Sequence, residues 1–284
     1  MQRLFIQALL LSFFSFSAAH ADLSPSVQTD GASKTAFSLE TSVSPKVTTL
    51  SVASPKTGLY IGNSYSFYNC GVHGYVRGFT REEKRKWSAR LVTISSGRLS
   101  YHNVEDYLKP HPLDNYKLAE GSDRLFDVVF LQAQSSEPIS TKNGADENFR
   151  KYLRKHIESI RKAGSEPVVV VTWADAGKPE NYRKLADAII TEANKNNAAA
   201  LPVGLAFAES LKMRPDLILH QSDNKHPTAA GSYLYGAMIY SFLFRKSPEG
   251  SRFLGECEKP LSVTDAQFLQ SLAWKVTKEF YGWK

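Results

Sequence analysis

The chain is poor in cysteine, with two in 284 residues, and its cysteines and seven histidines form no clustered ligand pattern. A structural zinc site needs four such ligands at close spacing, so none is expected. Long apolar runs are also scarce. The first, residues 4–16, falls short of the ~20 residues a spanning helix needs, and nothing later is long and apolar enough to span a bilayer. No membrane span is therefore expected. Basic residues outnumber acidic ones, 35 to 28, for a formal charge of +7. They are scattered, as in RKYLRKHIESIRK at 150–162, where they read as solvated helix surface. The aromatic-plus-basic signature of an RNA-binding face is missing, so no nucleic-acid partner is expected. A mildly positive surface would still suit an acidic polysaccharide or an anionic membrane surface. Internal repeats are absent.

What is present begins with an export signal. Arg3 gives a positive start, 4–16 an apolar stretch, and Ala19-His20-Ala21 an A-x-A cleavage site, so residues 1–21 read as a signal peptide. No cysteine adjoins that site, which argues against a lipid anchor. Residues 22–56 are rich in Ser, Thr, Pro and Val without a sustained period and read as a flexible leader. Residues 57–284 then form one α/β domain, long enough to bury a core without metal or disulfide staples. The expected location is periplasmic or secreted. Export invites one disulfide, Cys70 to Cys257, which would pin the tail near the start of the domain. Two free thiols are the alternative, because spacing does not show that the Cα atoms come within ~7 Å.

Short β-branched runs alternate with helical periods. Strands are expected at 58–61, 90–95, 126–131, 167–172 and, more weakly, 201–205. The fourth is nearly all valine, as a strand buried on both faces should be. Helices are expected at 145–164, 179–197 and 227–245, and another at 261–280 caps the domain. Strand then helix, repeated, means a mainly parallel sheet with helices on both faces. Ligands bind such sheets outside the carboxyl ends of the strands.

Several polar residues collect at those ends. Gly62-Asn63-Ser64 places a hydroxyl just past the first strand, after a glycine that tolerates a tight turn. Serine is a poor nucleophile until a base takes its proton. Asp223 and His226, three apart before a helix that Pro227 can start, supply a carboxylate and an imidazole for that task. His220 is the rival base and has no acid placed so well. Oxyanion donors are available from Ser96-Gly97 after strand two and from Gln132 and Gln134 after strand three. Trp173 and Tyr65 read either as a platform for a sugar ring or acyl chain or, for Trp173 above all, as core. Tyr101 and His102 read equally as pocket wall or surface loop.

These blocks resemble the SGNH (GDSL-like) hydrolases. Their G-D-S block matches Gly62-Asn63-Ser64, their second-block glycine matches Gly97, and their D-x-x-H block matches Asp223-Asn224-Lys225-His226, with Pro227 and Gly231 following. Asn63 replaces an aspartate that is not the catalytic acid. Gln132-Ala133-Gln134-Ser135 takes the place of G-x-N-D, an L-Q-x-Q-S variant that looks like an exported bacterial branch. The resemblance spans about 57–245. It implies a three-layer α/β/α sandwich around a mainly parallel, flavodoxin-like sheet, a serine nucleophile, and no metal or cofactor. On it, Ser64, His226 and Asp223 are the catalytic residues. Ser64, Gly97 and Gln134 hold the oxyanion, with Gln132 as substitute, and Asn63, Tyr65, Gln132 and Trp173 line the pocket. The expected activity is hydrolysis of a short acyl ester, foremost O-acetyl on a carbohydrate, so the partner is a small-molecule or polysaccharide ester. A lipase or lysophospholipase, or an exported O-acyltransferase, would use the same triad. The non-enzyme alternative is a polysaccharide-binding protein that has lost catalysis. The sequence implies no oligomeric state.

Overall fold

A computed structural model of the chain describes residues 41–110, 123–255 and 259–284. In chain order its main elements are β1 (Thr57–Gly62), α1 (Ser64–Phe67), α2 (Val72–Glu82), β2 (Ser88–Thr93), α3 (Val104–Tyr107), β3 (Val128–Gln132), α4 (Ala145–Lys162), β4 (Glu166–Val170), α5 (Asn181–Lys195), β5 (Ala199–Leu201), α6 (Val203–Met213), α7 (Ala229–Phe244) and α8 (Val263–Tyr281). The strands form one sheet in the order β2-β1-β3-β4-β5. Every neighbouring pair is parallel. With helices flanking it, this is the flavodoxin-like α/β/α arrangement expected from the strand–helix alternation.

Burial explains the layout. β3 and all but the first residue of β4 are buried, so the valine-rich strands sit in the middle of the sheet, while β2 is only partly covered at its edge. Tyr60 and Phe130, paired in register across β1 and β3, stack at 4.9 Å. α4 carries Asp146 and Glu147 in its first turn and Arg161 and Lys162 in its last, which matches the helix dipole. α7 is buried from Ala230 to Leu243, a helix apolar on all sides because α2, α6 and α8 surround it. The Thr228 and Ser262 side chains cap α7 and α8.

Some elements differ from the sequence reading. The weak fifth strand ends at Leu201; Pro202 is the N-cap of α6, which occupies the rest of that apolar run. Residues 72–82, unassigned from sequence, form α2. The expected signal peptide and the start of the expected leader, residues 1–40, lie outside the described residues. Residues 41–56 carry no helix or strand, as read, yet they are fastened to the domain. Thr41 and Ser42 donate to Asp187, Ser51 donates to Glu166, and the Trp283 indole donates to Thr48 O at 3.0 Å. No described helix is long and apolar enough to cross a membrane.

Candidate active site

The site is built at the carboxyl end of the sheet, starting where β1 stops. A Cβ on Gly62 would fall on the Gln132 side-chain amide, so glycine is what lets β1 end beside β3. The Gln132 Oε1 accepts from Asn63 N and from Ser66 Oγ, both at 3.0 Å, and its Nε2 donates to Ala133 O. Asn63 caps the one-turn α1: its Oδ1 accepts from Tyr65 N at 3.1 Å, and its Nδ2 donates to Gly97 O at 3.0 Å. Ser64 is thereby fixed at the first position of that turn. Below it, the buried His102 donates from Nε2 to Gly62 O at 3.0 Å, and burial lowers its pKa, so the ring is neutral at neutral pH.

The partner loop arrives from before α7. Asn224, at φ +62°, turns the chain so that Asp223 Oδ1 accepts the N–H groups of Lys225 and His226 at 2.9 and 3.0 Å. Asp223 Oδ2 then accepts from His226 Nδ1. With that nitrogen donating, His226 Nε2 is the acceptor, and it lies 2.8 Å from Ser64 Oγ. Partial burial raises the Asp223 pKa, but the imidazole and the two N–H donors outweigh this and hold it at about 2. The imidazole is packed as well as bonded. Tyr68 stacks on it at 4.3 Å, and Tyr65 meets it edge-on at 5.9 Å. The Trp173 indole donates to Lys225 O at 2.9 Å and Asn69 donates to Pro227 O at 3.0 Å, fastening the loop on both sides of His226. His220, the rival base, is buried with its Nε2 on Ala174 O at 3.1 Å.

A cavity of about 350 Å³ opens beside Ser64. Asn63, Tyr65, Gln134, Trp173 and His226 line it, and Gln132 and Gly97 do not. Gln132 is 1% exposed and serves as the clamp beneath the serine turn, not as pocket wall or oxyanion donor. The Gly97 N–H already donates to Ile94 O at 2.8 Å, closing the turn after β2, so it is not presented to an oxyanion. Ser96, held at φ +54°, is the residue of that turn that faces the cavity. Gln134 lines the cavity, where its Nε2 donates to Ser135 Oγ at 3.2 Å. Trp173 is wholly buried between Tyr65 and Phe207, with ring centroids 4.5 and 4.3 Å away, so its indole is core with one edge on the cavity. Tyr101 is exposed to solvent, away from the cavity. Cys70 is in a disulfide, and Cys257, the other cysteine of the chain, lies outside the described residues.

The roles of Gln132 as clamp, and of Tyr68 and Asn69 as supports, were not read from the sequence. For Gln132 the only signal was its place at the end of β3.

No protein-family model matches the chain, and no curated protein matches it. Solved structures do. A DUF4886 family protein from Bacteroides uniformis is 16% identical over 80% of this chain and 96% of its own, with a TM-score of 0.55. The acetyl xylan esterase AlAXEase is 18% identical over 65% of this chain and 98% of its own, with a TM-score of 0.50. A candidate SGNH hydrolase from Slackia heliotrinireducens is 19% identical over 66% and 98%, at 0.49. The first two establish a shared fold.

Proposed function

We propose that the chain is an exported serine esterase of the SGNH hydrolase type that removes a short acyl group, foremost O-acetyl, from a carbohydrate. The observation that carries this reading is the run from Asp223 through His226 to a Ser64 Oγ only 2.8 Å from the imidazole, on the wall of a cavity. Ser64 attacks the ester carbonyl while His226 Nε2 takes its proton, and Asp223 stabilises the resulting imidazolium. The Ser64 N–H and the Gln134 amide bear the oxyanion, with Ser96 in the place assigned from sequence to Gly97. Collapse of the tetrahedral intermediate expels the alcohol, which receives the proton from His226. Water, deprotonated by the same imidazole, then releases the acid and restores Ser64.

An acetyl xylan esterase with the same fold supports the choice of ester. The Cys70 disulfide supports an oxidising compartment, and hence export. A bridge to Cys257 is part of this proposal. Steady-state hydrolysis of p-nitrophenyl acetate tests the reading. Wild type is expected to turn over, Ser64→Ala to fall to background, and Gln134→Ala to lose roughly 10²–10³ in kcat. An inert wild type, or an active Ser64→Ala, overturns it.

A further inference from the structure

The imidazole of His226 has a face that the triad does not use. Asp223 meets the ring in its plane, at Nδ1, and Ser64 meets it at Nε2. Tyr68 covers the face: the two rings are stacked, 14° from parallel, with centroids 4.3 Å apart. It is therefore the π face of the phenol, not its hydroxyl, that the imidazole meets. Core packing does not account for this placement, because Tyr68 is only half-buried and Phe67 before it is exposed. The backbone is strained to hold it there. Tyr68 N donates to Ser64 O at 3.1 Å, so the ring is carried by the serine turn itself. Asn69, Cys70 and Gly71 follow at φ +53°, +69° and +76°. That conformation is costly for a residue with a Cβ, and such strain lasts only where the surroundings enforce it. Here Asn69 Nδ2 donates to Pro227 O at 3.0 Å and to Ser232 Oγ at 2.7 Å, and Cys70 is in a disulfide. One strained turn thus joins the nucleophile's turn to the loop of its base and sets Tyr68 on the imidazole.

We infer, on the esterase reading, that Tyr68 is a positioning residue that favours the charged form of the base. When Ser64 Oγ gives its proton to His226 Nε2, the neutral imidazole becomes an imidazolium. A cation within ~6 Å of an aromatic face is attracted by the ring's quadrupole, and a neutral ring is attracted less. The contact therefore strengthens as the proton moves, which lowers the barrier rather than tightening substrate binding. Asp223 and Tyr68 act on the same charge from two directions, one in the ring plane and one above it.

Steady-state hydrolysis of p-nitrophenyl acetate tests this with three replacements. They are Tyr68→Leu, Tyr68→Phe, and Tyr68 exchanged for pentafluorophenylalanine, which keeps the ring's shape and reverses its quadrupole. Tyr68→Leu is expected to lower kcat about three- to tenfold, with KM within about twofold of wild type. Tyr68→Phe, which keeps the π face, should recover kcat to within about twofold. The pentafluoro ring should cost as much as leucine, an effect that a purely structural contact would not produce. The rate of fluorophosphonate labelling of Ser64, which needs the same proton transfer but no particular acyl group, should fall in the same order. A Tyr68→Leu variant as fast as wild type, a Tyr68→Phe variant as slow as Tyr68→Leu, or a pentafluoro variant as fast as Tyr68→Phe overturns the inference and leaves the esterase reading standing. A wild type that neither hydrolyses the ester nor is labelled removes that reading, and the inference with it.

Discussion

At the residue scale, Asn63 shows how one side-chain nitrogen organises the serine turn. Its Nδ2 donates to Gly97 O from a position only 3% exposed. A carboxylate there would set an oxygen against that carbonyl with nothing to donate. Asn63→Asp is therefore expected to lower stability by about 1–3 kcal/mol, read as a fall in Tm, and to reduce turnover with it. Asp223 gives a second expectation. Its folded pKa, about 2, lies below the ordinary 3.8, so the stability it contributes is complete above the ordinary value and lost as pH falls towards 2. In Asp223→Asn that part of the pH–stability curve should flatten, and kcat should drop by about 10⁴-fold, as when a triad aspartate elsewhere is replaced by asparagine. Ser64, Asp223 and His226 were legible in the sequence because each signal is local: a glycine before a serine at a strand end, and an acid three residues from a histidine. Which backbone N–H is left for an oxyanion was not. Gly97 loses that role to a turn hydrogen bond, and a sequence does not show whether such a bond closes.

At the element scale, the strands and the long helices followed from period and composition, while α2 and α6 did not. α2 contains Gly74 and Gly78, which lower helix propensity, and packing on α7 overrides it. The run at 201–205 is too short for period alone to separate strand from helix, and Pro202 decides it by standing as the N-cap. The closeness of α2 and α7 is itself testable. A Cβ on Gly236 would overlap Tyr75 Cβ, so Gly236→Ala must part the helices. Urea unfolding should show a loss of about 1–3 kcal/mol. The same packing brings the α1–α2 loop over the catalytic loop. Asn69 and Cys70 both sit at positive φ there, with Tyr68 on the imidazole and Asn69 on Pro227 O.

At the scale of the whole molecule, three buried histidines set a limit in acid. His102, His156 and His220 each place Nε2 on a backbone carbonyl, and burial holds each pKa below 6.5. Such groups bind protons more readily once unfolded. Their contribution to stability is complete above 6.5 and drains away as pH falls below it. Tm followed by circular dichroism should therefore decline from about pH 6.5 downward. Replacing His156, which lies away from the cavity, with Asn should soften that decline. The attachment of residues 41–56 was invisible to a composition-based reading, because Ser- and Thr-rich sequence looks the same whether it is solvated or bonded to Asp187 and Glu166. The central claim is that Ser64 is an activated nucleophile. Its most direct test is intact-mass and peptide mass spectrometry after exposure to a fluorophosphonate. One adduct on the peptide carrying Ser64, lost in His226→Ala as well as in Ser64→Ala, is the expected result; an unlabelled wild type, or an adduct on another residue, would contradict it.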